Sequence, residues 1–349
     1  MQMRKARILP VAACIVLLVG ASGCGSKPPA ADDASLKMFA PLPDIVPAKD
    51  GVPAEARVQL GRMLYFDARL SRSQTVSCNS CHDLARYGVD GAATSEGFKK
   101  QHGNRNSPTV YNAAIQFVQF WDGRAADVEA QAKGPVLNPV EMAMPDDASV
   151  VAVLESMPEY VAAFQKAFPG EKKPVTFDNM ATAIGTFERG LLTPSRWDKY
   201  LKGDTTALTA QEQAGFHEFV AEGCSTCHAG TLLGGNLYQR IGMLKPYPDT
   251  SDPGRYSITK IESDKMVFKV PSLRNVAKTA PYFHNGKVAT LDQAVSEMAN
   301  YQLDKPLTPA QVSSIVTFLN TLTGDLPAQL IQQPELPKST AKTPKPNEG

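Results

Sequence analysis

The chain carries almost no net charge: 36 Lys and Arg against 35 Asp and Glu leave a formal +1. No global field favours nucleic acid or an anionic membrane surface as partner, and neither is expected. An apolar run long enough to cross a bilayer is missing too, because the stretch Ile8 to Val19 is too short. Long, regularly alternating apolar strands are absent, which points away from a sheet-based fold. Histidine is scarce, five in 349 residues, so each one can be considered individually.

The ends read as processing and linker segments. Arg4, Lys5 and Arg7, the apolar run and the small residues Ala21-Ser22-Gly23 before Cys24 form an export signal over residues 1–24. Cys24 resembles a lipoprotein processing site, which would place the mature chain in the periplasm on an acyl tether; Ala21 stands where Leu is more usual. Cleavage by an ordinary signal peptidase near Cys24 is the alternative. Residues 25–53, rich in Pro, Ala, Asp and Ser, are predicted to be a flexible linker, and residues 327–349, rich in Pro, Lys and Gln, a flexible tail. Two domains fit between them, 54–205 and 206–326.

In an exported chain, six cysteines suggest first a disulfide framework. Their arrangement argues otherwise. Cys14 and Cys24 belong to the signal, and the other four form Cys78-Asn79-Ser80-Cys81-His82 and Cys224-Ser225-Thr226-Cys227-His228. Both match C-x-x-C-H, in which two thiols add across the vinyl groups of a haem and the next histidine ligates its iron. A four-thiolate zinc site would explain two C-x-x-C pairs, but not pairs so far apart, nor the histidine after each. A redox dithiol prefers a βαβ setting that the surrounding sequence lacks. Two covalently bound haem c groups are the expected cofactors.

Each motif follows a predicted amphipathic helix. Residues 54–66 carry Val58, Leu60, Met63, Leu64 and Phe66 at helical spacings. Residues 209–220 begin with a Thr209 to Glu212 capping box and present Phe216, Phe219 and Val220. Helices are also predicted over 291–300 and 308–322, after a long Gly- and Pro-rich stretch. The fold class is therefore all-α, two cytochrome c-like haem domains with long connecting loops.

A haem that only carries electrons takes two strong axial ligands, and Met opposite His raises its potential; one that meets peroxide needs an open or displaceable position. Spacing leaves Met243, Met266 and Met298 open as ligands of the second haem. Of the remaining histidines, His217 reads as an exposed helix residue. His102, in the loop GFKKQHGNRN, is either a solvated loop residue or a movable ligand of the first haem; His284 is unassigned.

From about Gln59 to Gly324 the chain resembles the bacterial dihaem cytochrome c peroxidases. The likeness is carried by LGRMLYFDARLSRSQTVSCNSCH, RNSPTVYNAA, FWDGRAADVEAQAKGPVLNPVEM and FKVPSLRNVAKTAPYFHNG, with YQL after it. It implies reduction of hydrogen peroxide to water in the periplasm, a low-potential N-terminal haem as reaction site, and a high-potential C-terminal haem as electron entry. The donor would be a small c-type cytochrome or a cupredoxin. The resemblance also makes Met298 the distal ligand opposite His228, puts Trp121 between the haems, and gives Glu141 and Gln131 to the peroxide pocket. It implies calcium held by Asn106, Thr279 and Pro281, and a homodimer as a common assembly. One departure concerns the T-S-x-G-H pattern, where many relatives have a histidine on the distal face of the first haem. Here the residues are Thr94-Ser95-Glu96-Gly97-Phe98, so either His102 takes over or the site stays open. Two rival functions are a dihaem oxidase that modifies protein tryptophans, for which Tyr301 would replace Met298 as ligand, and a dihaem electron carrier without peroxide chemistry.

Overall fold

The computed structural model describes residues 34–48, 51 and 54–348. The export signal, Cys14 and Cys24 lie outside them. The N-terminal half contains α1 (Glu55–Phe66), α2 (Cys78–Cys81), α3 (Val128–Leu137), α4 (Asp147–Glu155), α5 (Pro158–Ala167) and α6 (Phe177–Glu188). The C-terminal half contains α7 (Arg196–Leu201), α8 (Ala210–Ala221), α9 (Tyr256–Thr259), α10 (Leu291–Leu303) and α11 (Pro309–Asn320), and α12 (Ala328–Ile331) follows. Among the described residues the named strands are β1 (Tyr238–Arg240) and β2 (Val267–Lys269), an antiparallel pair. The chain is mainly helical, and the expected all-α class is departed from by this one short strand pair among the described residues. None of the described helices is long and apolar enough to cross a membrane.

The helices begin where a side chain can take an orphan backbone N–H. Asp127, Asp146, Thr176, Thr209, Thr290 and Thr308 each accept from the backbone three residues on. The Thr209–Glu212 capping box forms as predicted. Each half then builds its own apolar core. In the first, Leu60, Leu64 and Tyr65 of α1 pack with Ile184 and Phe187 of α6. In the second, Phe216 and Phe219 of α8 pack with Ile315 and Phe318 of α11.

Both central crossings are made at a glycine. A Cβ on Gly61 would lie 1.9 Å from the carbonyl oxygen of Ala183, and one on Gly215 2.2 Å from that of Ser314. Neither backbone could approach so closely with a side chain present. The helix ahead of each C-x-x-C-H motif is thus held against a later helix of its own half.

Two segments expected to be flexible are folded. The predicted linker 25–53 is folded from residue 34: Phe39 is buried against Trp197 and Phe216, and the backbone N–H of Leu42 donates to Asp198 Oδ1 at 2.7 Å. Its Pro-rich composition masked two apolar anchors. Ahead of the expected boundary at residue 205, Leu191 belongs to the first core whereas Trp197 and Tyr200 belong to the second. The predicted flexible tail 327–349 runs back across the N-terminal half instead. Arg62 Nη2 donates to the Gln332 carbonyl, Gln74 Nε2 to the Pro344 carbonyl, and the Asn347 N–H to the Arg72 carbonyl. Proline keeps a chain extended without keeping it free, since its carbonyls still accept hydrogen bonds.

Candidate functional site

At the first motif, Ser77 caps the single turn of α2 in a reciprocal box with Ser80, presenting Cys78 and Cys81 on one short helix. Tyr65 of α1 donates its hydroxyl to the His82 carbonyl at 2.6 Å, which ties the helix ahead of the motif to its histidine. The His82 Nδ1 is buried near the Gly88 and Pro108 carbonyls without reaching hydrogen-bond geometry. Burial lowers the His82 pKa, keeping the imidazole in the neutral form that can ligate a metal.

At the second motif, Nδ1 of His228 pairs with the Leu233 carbonyl at 3.0 Å. As the carbonyl only accepts, Nδ1 carries the proton and Nε2 is left with its lone pair. Gly234 leaves room for this turn, since a Cβ there would meet the Pro271 carbonyl oxygen at 2.1 Å. Cys224, Cys227 and His228 line a large, mainly apolar cavity together with Phe219, Leu319 and Met298. Of the three candidate methionines, Met298 of α10 is the one on that cavity; Met243 lies exposed at the surface.

Cys78, Cys81, Cys224 and Cys227 form no disulfides. Burial pushes the Cys78 thiol up to about 12, and those of Cys81 and Cys224 to about 11. Free thiols in each motif, neutral imidazoles and an apolar cavity facing Met298 fit haem bound through thioethers and an axial histidine.

Glu141 sits just after α3, half-buried, with Asn138 Nδ2 donating to its Oε1 at 2.7 Å. Burial raises its pKa; Arg124 and the Asn138 bond pull the other way. Its charge is felt by Cys81, so the fold brings Glu141 to the first motif across 60 residues of sequence. The Thr94–Phe98 loop lies with them: Ser95 is close enough to Cys81 to counter part of the rise in its pKa, and the Phe98 N–H donates to the Glu141 carbonyl at 2.8 Å. Gln131 is half-buried on α3, the helix that leads to Glu141.

Phe98 is buried. His102 is exposed, with Nδ1 3.1 Å from the Thr94 carbonyl oxygen. His217 is half-buried, not exposed as predicted, and its ring lies 5.4 Å from that of Phe216. His284 is buried and stacked on Phe268 at 4.3 Å.

Trp121, Asn106, Thr279 and Pro281 line the same cavity as the second motif. Trp121 Nε1 donates to the Asn106 carbonyl at 2.9 Å, and the Asn106 side-chain amide donates to the carbonyls of Ala92 and Ala93. Lys269 also lines it and is buried. Sequence reasoning passes over Lys269, because a lysine in FKVPSL reads as solvent-facing.

The family described as di-haem cytochrome c peroxidase matches residues 55–206. Cytochrome c551 peroxidase of Pseudomonas aeruginosa is 47% identical over 99% of this chain and 100% of its own length. The chain belongs to the dihaem cytochrome c peroxidase family. Cytochrome c551 peroxidase of Nitrosomonas europaea is 46% identical over 89% of this chain and 93% of its own. Among solved structures, a MauG-like protein associated with microbial copper homeostasis superposes with a TM-score of 0.72 at 29% identity, covering 84% of this chain and 97% of that one. This cytochrome c peroxidase is a dihaem oxidoreductase whose substrate is hydrogen peroxide.

Proposed function

We propose that the two halves of this peroxidase are two haem domains with divided work, peroxide being taken beside His82 and the electron donor beside His228 and Met298. When bound, the haems supply the stored electrons and the iron centre at which the O–O bond is broken. The conversion of H2O2, two electrons and two protons into two H2O needs a group that moves a proton between the two oxygens. Glu141 carries this reading: a carboxyl held by Asn138 and raised in pKa by burial, brought to the first motif by the fold. Gln131 would hold the peroxide beside it, and Trp121 would lie on the path between the halves.

The test is optical. The oxidised protein and the protein half-reduced with ascorbate are each mixed with stoichiometric peroxide. Reduction of a Met-ligated haem first, followed by its reoxidation with peroxide, is expected. No response in either state would leave a dihaem electron carrier.

The exposure of His102 and the burial of Phe98 favour a first haem without a protein ligand on its distal face. A high-spin signal is therefore expected in the oxidised protein and should persist in H102A. A signal that is low-spin at both haems and becomes high-spin at one in H102A would instead make His102 the ligand. The tryptophan-modifying oxidase is disfavoured at the second motif. Met298 lines the cavity with His228, whereas Tyr301 packs its ring against Tyr247 at 5.2 Å.

Calcium fits Asn106, whose amide nitrogen is committed to Ala92 and Ala93 and whose Oδ1 is left for a hard cation beside Thr279 and Pro281. Treatment with EGTA should lower the melting temperature and the peroxidase rate, and added calcium should restore both; no change would remove the ion. The export signal supports a periplasmic location, with Cys24 as a tether and a small cytochrome or cupredoxin as donor. Mass spectrometry of the mature N-terminus decides the acylation. Turnover with each class of reduced donor decides the partner, and sedimentation decides whether a homodimer forms.

A further inference from the structure

In β2, Phe268 stacks on His284, and both Phe268 and the next residue, Lys269, line the cavity of the second motif. Lys269 is only 5% exposed and, among the described residues that line this cavity, is the single Lys, Arg, Asp or Glu. Its backbone N–H donates to the Trp121 carbonyl at 2.8 Å, and its ammonium has the Gln116 side-chain oxygen as partner, a neutral acceptor. Two buried acids of adjoining segments are already taken, since Arg105 pairs with Asp122 at 2.5 Å and with Asp252 at 2.6 Å. Burial alone pulls the Lys269 pKa down to about 8, with no opposing charge.

An ammonium in an apolar cavity with only an amide for company costs several kcal/mol of desolvation unless an anion joins it. Haem matches that requirement: an apolar macrocycle for Phe219, Ile315 and Leu319, with two carboxylates at one edge.

We infer that Lys269 is the carboxylate anchor of the haem that Cys224, Cys227 and His228 would hold, its ammonium taking a propionate of that haem. Lys269 is a positioning residue. Its positive charge in the cavity would also favour the reduced state of the haem. The inference rests on the reading that His228 and Met298 hold a haem.

The experiment is a spectroelectrochemical titration of the holoprotein, following the Met-ligated haem in K269Q, K269M, K269R and Q116L, with covalent haem counted in each. Loss of the cation should shift the one-electron equilibrium toward the oxidised state by at least tenfold, which is 59 mV, in both K269Q and K269M. K269R and Q116L should stay within threefold of the unsubstituted protein. Should K269Q fail to fold, K269M removes the same charge while leaving no polar group in the apolar cavity. The anchor is overturned if either neutral variant carries two haems at the unsubstituted potential. It is also overturned if Q116L shifts as far as K269M, for then the Lys269–Gln116 bond is all that matters. Failure of the underlying reading looks different: the unsubstituted protein would itself carry fewer than two haems, or show no Met-ligated haem on ascorbate reduction.

Discussion

The proton-transfer role proposed for Glu141 rests on the surroundings of one side chain. A glutamate in PVEM is unremarkable in sequence, yet here burial outweighs Arg124 and Asn138 and lifts its pKa. As a proton acceptor it works only while ionised. The peroxidase rate should therefore fall as pH drops through a pKa above the usual glutamate value of about 4.3. E141Q should lose about 10²–10⁴-fold in rate together with that acid limb, while the potential of the Met-ligated haem stays unchanged. Stopped-flow rates across pH and a redox titration check both; an E141Q rate within threefold of the parent would remove Glu141 from the chemistry. The residues of C-x-x-C-H were legible because their chemistry is local, two thiols and an imidazole within five positions. Lys269 was not, because its meaning comes from the cavity around it.

Among the elements, the helices ahead of the motifs were predicted almost to the residue, since period and cap lie within one stretch of chain: Thr209 caps α8, and α10 and α11 begin at Leu291 and Pro309. The crossing partners were not legible. That Gly61 meets Ala183 and Gly215 meets Ser314 depends on packing between segments far apart in sequence. Alanine at either glycine gains up to about 1 kcal/mol of helix propensity, yet must push a carbonyl aside. Gly61→Ala and Gly215→Ala should each be net destabilising by about 1–3 kcal/mol, read as a lowered melting temperature. Because Tyr65 of α1 bonds the His82 carbonyl, Gly61→Ala should also perturb the first haem's spectrum more than the second's. Unchanged melting in both variants would mean that the helices separate without cost.

Across the whole molecule the two halves are laced together by the segments that composition labelled flexible. The strap around Phe39 and Leu42 docks on the C-terminal half, and Asp198 is its hub, accepting from Leu42 and paired with buried Arg274 at 2.6 Å. The tail leaves the C-terminal half and ends on the N-terminal one, where Thr343 bonds Ser156 at 2.9 Å. Each net hydrogen bond contributes about 1 kcal/mol. Truncation after Ile331 should therefore lower the melting temperature of the N-terminal half by several degrees, with both haems retained. Differential scanning calorimetry would show it, and an unaltered thermogram would return the tail to the status of a linker.

By itself the sequence determined the cofactor chemistry, the mainly helical class and the family, because these reside in short motifs and in local periodicity. The tertiary structure decided which methionine lines a cavity with His228, where Glu141 and Phe98 meet, which core holds Trp197, and that Lys269 is buried without an acid. Each of those facts depends on contacts between segments remote in sequence, which only the closed fold brings within bonding distance.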